Sequence, residues 1–102
     1  MYRYTTPTIT LTISNLNFSA VSVFRVAMQR GAKQLLREIP VDSDAVDAEA
    51  GTVTLELSQE ETSAWSTGPV DIQVRAVLTS GRVLATNKAS VQLEDVLDKV
   101  VV

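Results

Sequence analysis

A chain of 102 residues that is 45% apolar and 21% charged has the composition of one globular domain. A net charge of −3, with nine basic residues scattered along the chain, argues against the clustered positive face that nucleic-acid binding requires. Histidine and cysteine are both absent, which removes the commonest general base, the commonest metal ligand and any disulfide.

Met1–Pro7 carries no apolar core of a secretory signal, and no apolar run approaches the ~20 residues that span a bilayer. The expectation is a soluble protein made in a cytoplasm. In chain order, Thr8–Ser14 alternates apolar and polar residues, with Ile9, Leu11 and Ile13 on one face, as a half-buried strand requires. Asn15-Leu16-Asn17 is turn chemistry. Ser22–Gln29 reads as a second strand with Phe24, Val26 and Met28 on one face. Its other face is unusually apolar for a solvated one, because Val21, Val23 and Ala27 accompany Arg25 there. Arg30-Gly31 turns the chain into a third strand, Gln34–Ile39, which Pro40 ends.

Asp42–Gly51 is acidic and lacks an alternating pattern, so it reads as a loop with at most one helical turn. Thr52–Leu57 is the fourth strand. Ser58 and Glu61 have the spacing of a capping box, which predicts a single helical turn through Trp65, stopped at Gly68-Pro69. Val70–Thr79 is the fifth strand, joined through Ser80-Gly81 to Arg82–Asn87, and Ala89–Leu93 is the last. In the tail, residues 94–102, Leu93, Val96, Leu97 and Val100 recur at helical spacing while Asp95 and Asp98 interrupt them. A short helix and an extended arm both fit.

Seven short strands predict an all-β fold: an immunoglobulin-like antiparallel β-sandwich formed by residues 1–102 as a single domain, with one short helical turn. No strand–helix–strand alternation appears, so a parallel sheet is disfavoured, and a small open barrel is the structural alternative. The predicted core comprises Ile9, Leu11, Phe24, Val26, Val53, Leu55, Ile72, Val74, Leu84 and Val91.

Candidate sites are few. Asp42, Asp44, Asp47 and Glu49 could offer hard oxygen ligands to calcium, but their spacing matches no EF-hand, and a solvated acidic loop is the simpler reading. Glu60 and Glu61 could pose as an acid–base pair, although carboxylates in a first helical turn are explained by the helix dipole. Trp65 could stack on a sugar, but a lone Trp beside a capped turn is better read as an anchor for that turn. Arg75 and Arg82 are expected on neighbouring strands, paired across the sheet with Asp71 or Glu56 rather than gathered around an anion. The serines and threonines have no activating base, and no Gly-rich loop cradles a phosphate. No catalytic residue, cofactor site or metal site is assigned.

The segments Leu57–Thr62, Gly68–Val77, Ser80–Ala85 and Glu94–Leu97 resemble small proteins, about one hundred residues long, encoded in the tail-gene regions of phages and prophages of Gram-positive bacteria. They are similar, more loosely, to the N-terminal β-sandwich of siphophage upper baseplate proteins. The resemblance covers the second half of the chain, while the first half shares only the strand–turn–strand layout. It implies a non-enzymatic virion or tail-assembly protein that works by self-association or by contact with other tail proteins. Such a protein would be made in the bacterial host cytoplasm and then built into the virion.

Two features fit docking: the apolar second face of strand two at Val21, Val23 and Ala27, and the tail with Val96, Leu97, Val100, Val101 and Val102. The alternative for the tail is an added edge strand or a plug over the end of the sandwich. The competing functional class is a surface-displayed immunoglobulin-like module that binds a carbohydrate or matrix ligand, which fold alone does not separate from the first. A small hydrolase is disfavoured by the missing His and Cys.

Overall fold

The computed structural model describes residues 1–86 and 88–102. Eight strands and one helix follow in order: β1 (Thr8–Thr12), β2 (Val21–Arg30), β3 (Lys33–Pro40), β4 (Val46–Asp47), β5 (Thr52–Glu56), α1 (Gln59–Ala64), β6 (Gly68–Leu78), β7 (Val83–Ala85) and β8 (Ala89–Leu93). A 3-10 turn at Phe18–Ala20 enters β2, capped by the Asn17 side chain. The expected strand end at Asn87 lies outside the described residues.

The strands form two antiparallel sheets. One has the order β1-β5-β4. The other runs β3-β2-β6, and both β7 and β8 pair with β6. β6 is long enough to take two partners end to end: Gly68–Ile72 faces β8, and Arg75–Val77 faces β7. The fold is therefore the expected sandwich, with three strands packed on five and no closed barrel. The β2–β3 hairpin forms as expected, with Arg30 opposite Lys33 and Gly31 in the left-handed region its tight turn requires. β4 is a short strand inside the segment expected to be a loop, held by Val46 opposite Val53.

Alternating side chains from both sheets meet in one core. Phe24, Val26 and Met28 come from β2, Val53 and Leu55 from β5, and Val70, Ile72, Val74 and Ala76 from β6. The Phe18 and Phe24 rings meet at 5.2 Å in a tilted arrangement that suits their quadrupoles. Trp65 is buried, and its indole N–H donates to the Lys33 carbonyl at 3.3 Å, so it anchors the end of α1 to β3.

Two core assignments need correction. Val21, expected on the outer face, is 2% exposed and belongs to the core. The register of β2 on β6 shifts between Val21 and Val23, so Ser22 is an extra residue, and its hydroxyl donates to the Val77 carbonyl at 3.0 Å. This bulge turns Val21 to the same side as Phe24, against simple alternation. Leu84, expected in the core, is 41% exposed. It sits opposite Ala76 on the inner side of the larger sheet, but β7 is an edge strand and Leu84 lines an open recess shared with Ile13 and Leu16. Ile9, Leu11 and Val91 are only partly buried, because each lies on an edge strand and packs against the core from its margin.

Candidate docking surface

The C-terminal segment starts from a firm base. Arg3 N donates to the Glu94 carbonyl and Glu94 N to the Met1 carbonyl, each at 2.8 Å, so the N-terminus adds a parallel bridge beside the end of β8. The Arg3 guanidinium donates to the Ser63 carbonyl at 2.8 Å and to the Asp95 carboxylate at 3.3 Å, tying this corner to the end of α1. Thr62, fully buried, donates to the Thr5 carbonyl and accepts from Thr5 N–H, which closes the same corner.

Beyond Asp95 the chain is not helical, although helical spacing was one of the two expectations. The Asp95 and Asp98 carboxylates accept from Val96 N–H and Val100 N–H, each at 3.1 Å. Such local bonds compete with helix formation. Lys99 binds Asp95 at 3.1 Å, and this hydrogen bond holds the Asp95 carboxyl below the usual carboxylate range. The result is an irregular arm, bent at Leu97, that returns to α1. The Gln59 side-chain amide donates to the Val102 carbonyl at 2.6 Å and accepts from Val102 N–H at 2.9 Å.

The arm buries little of itself. Leu97 is wholly exposed, Val102 is 93% exposed, and Val100 and Val101 are exposed as well, while Val96 is half-buried. The second feature picked out from the sequence holds only in part. Val21 is in the core, and Val23 and Ala27 are half-buried on the outer face of the larger sheet. There Val23 lies between Pro40 and Val77, and Ala27 lies between Leu36 and Gln73.

Sequence reasoning missed a third feature, an apolar groove along one open side of the sandwich. Ile13, Asn15 and Leu16 form one lip and Val74, Leu84 and Ala85 the other, around about 290 Å³. It continues toward β8 as a space of about 230 Å³ between Leu11 and Ile72. The groove exists because β1 and β7 are edge strands of different sheets and do not pair with each other. On the opposite side Arg37 bridges the sheets, donating to the Glu56 carbonyl and to both Glu61 carboxylate oxygens, beside a second, more charged recess of about 670 Å³ bounded by Glu38, Asp44, Thr54 and Glu56. The absence of charge from Tyr4 to Phe24 was the available sequence signal for the groove.

The remaining candidates are absorbed by structure. Glu61 completes the capping box with Ser58, and burial opposes its charge, but Arg37 and the Ser58 N–H overcome this and hold its pKa below the ordinary value. In the acidic loop, Asp47 caps the N–H groups of Glu49 and Ala50, while Asp42 and Asp44 are exposed. Among the described residues no group of three or more acidic side chains is placed to hold a metal ion. Arg75 lies opposite Arg25 rather than an acid, and Arg25 pairs with Glu38 at 3.6 Å. No salt bridge is found for Arg75 or Arg82 among the described residues, so the expected pairing with Asp71 or Glu56 does not form. A polar recess of about 280 Å³ near Gln29, Gln34, Gln73 and Lys88 has no aromatic ring in its lining.

No family model matches the chain, and no curated protein matches it. Among solved structures it is similar to "a putative glycoside hydrolase" from Bacteroides vulgatus ATCC 8482, with a TM-score of 0.51 and 7% identity. The likeness covers 93% of this chain but only 16% of that one. At that identity it shows a shared sandwich fold and nothing of activity.

Proposed function

We propose that this chain is a non-enzymatic structural module of a phage tail or virion that docks to protein neighbours through its C-terminal arm. The observation that carries the docking role is the arm itself: Leu97, Val100, Val101 and Val102 stand in solvent at the end of a segment whose base is fixed by Arg3 and Asp95. Exposed aliphatic side chains held in one place are costly in water and mark contact surfaces. The phage setting rests on the resemblance of residues 57–97 to small tail-region proteins. The fate of the chemically capable groups agrees with a passive role, because Glu61 and Trp65 are both engaged in holding α1.

Deleting residues 96–102 tests this reading. The sandwich should remain folded, since all eight strands precede the cut. Binding to a neighbouring tail protein, or oligomer mass in light scattering, should fall. A truncated chain that unfolds would make the arm part of the core. An intact chain that binds a glycan and no protein would replace this reading with the surface-displayed module.

A further inference from the structure

We propose that the arm of one copy docks as an added strand in the open groove of a second copy, so that the chain assembles head to tail. This rests on the docking role of the arm given above and names its receptor.

The groove is flanked by backbone that can receive a strand. Ile13 N–H donates to the Gly51 carbonyl and Leu57 N–H to the Pro7 carbonyl. The odd-numbered residues of β1 therefore exchange hydrogen bonds with β5, and by antiparallel alternation Thr8, Thr10 and Thr12 direct their N–H and C=O groups away from it. On the other lip, Thr86 N–H donates to the Val74 carbonyl and Leu78 N–H to the Arg82 carbonyl, which leaves Val83 and Ala85 directed outward. Natural sheets guard such edges with charge, proline or a bulge. β1 carries none of these, and no charged residue lies between Arg3 and Arg25.

The arm has the complementary properties. It is irregular and not fixed in a helix, it is rich in aliphatic residues, and it carries three successive valines, Val100–Val102, whose branched side chains favour strands. Paired along β1, Val100 and Val102 fall on one face and can enter the groove beside Leu11 and Leu84. Strand addition of this kind draws affinity from the backbone and selectivity from alternate side chains. Direct pairing of β1 with β1 of a second copy would leave both the groove and the arm uncovered.

The occupant is a second copy because the chain's own arm points elsewhere. It leaves β8 at the Gly68 end of β6 and is held on α1 by Gln59, whereas the groove is widest beside Val74 and Ala76, further along β6. Two different surfaces of one chain then form the contact, which generates rings or filaments rather than an isologous pair.

Sedimentation of the intact chain should show mass above one chain that grows with concentration. Val100→Asp combined with Val102→Asp removes the arm's apolar face. Leu84→Glu charges the groove, and Thr10→Pro deletes an outward N–H while keeping the backbone bonds to β5, losing there only the exposed Thr10–Thr54 hydroxyl contact. Each variant should sediment as one folded chain, with association weakened about tenfold or more. Mixing the arm variant with a groove variant leaves one good arm and one good groove, and should restore a complex of two chains and no larger species. An arm variant that dissociates while Leu84→Glu and Thr10→Pro still assemble would overturn the groove as receptor and leave the docking role standing. An intact chain that stays single at every concentration would overturn self-assembly, and binding of the arm to a tail protein would then be unaffected by the groove variants.

Discussion

Gln59 holds Val102 as a neighbouring strand would, with its side-chain amide donating to the carbonyl and accepting from the N–H of the same residue. One flexible side chain thus parks the end of the arm against α1. Gln59→Ala should leave the stability nearly unchanged, within about 0.5 kcal/mol, because the contact is exposed. Limited proteolysis after residue 95 should become faster. Equal cleavage in both proteins would show that the arm is not held there.

The corrected core gives a contrast between three residues. Leu55→Ala should cost roughly 2–5 kcal/mol, because the side chain is buried between the sheets. Val21→Ala should cost about 1.5 kcal/mol or more, at about 0.8 kcal/mol per buried methylene. Leu84→Ala should cost under about 1 kcal/mol, because half-exposed side chains lose little on truncation. Denaturant melts of the three variants check the order, and a Leu84 cost equal to that of Leu55 would refute the open placement of Leu84.

Acid should loosen α1 first. Glu61 has a folded pKa below its ordinary value of 4.5, so the stability it contributes is complete above that value. That stability is lost as pH falls through the lower folded value. Arg37 is partly solvated, which limits the effect to about 1 kcal/mol. Glu61→Gln should narrow the stability difference between neutral and acid pH. A variant with the same acid slope as the parent would show that other carboxylates carry it.

Gly68 is a strained position for any other residue. Its φ is +126°, which L side chains rarely adopt, and an added methyl group would also crowd the Arg30 guanidinium. That guanidinium binds the Ser66 and Thr67 carbonyls just before β6 begins. Gly68→Ala should therefore destabilise by more than the ~1 kcal/mol of an ordinary glycine replacement. Arg30→Ala in the same background should recover part of the loss, and equal losses in the single and double variants would remove Arg30 from the explanation.

Calcium should leave the melting temperature unchanged, since a ligand bound only by the native state must raise it. A rise of several degrees at millimolar calcium would make the Asp42–Glu49 loop a site.

The strands that face solvent on one side were legible from alternation alone, as β1, β5 and β6 show. β2 was legible as a strand but not in detail, because both its faces are apolar and a bulge at Ser22 leaves no mark on such a pattern. Leu84 misled because alternation reports which way a side chain points and not whether a second sheet reaches over it. The capping box at Ser58 could be read because its partners are three residues apart. The bonds from Gln59 to Val102 and from Arg3 to Glu94 could not, since they join residues distant in sequence that follow no local rule. The groove belongs to the same class: it is made by what β1 and β7 fail to do.

The corner where Arg3 meets Glu94 also constrains how the molecule comes into being. β1 emerges from a ribosome long before β5, its only pairing partner among the described residues, and Tyr2 must wait for Glu94. Such distant pairings slow folding, because the intervening chain loses entropy before contacts reward it. The β2–β3 hairpin joins neighbours in sequence and needs no such delay, which predicts that it forms before the N-terminal strand is added. Until then an uncharged, strand-prone segment stays unpaired in a crowded cell, and how quickly the C-terminal half follows sets how long it does so.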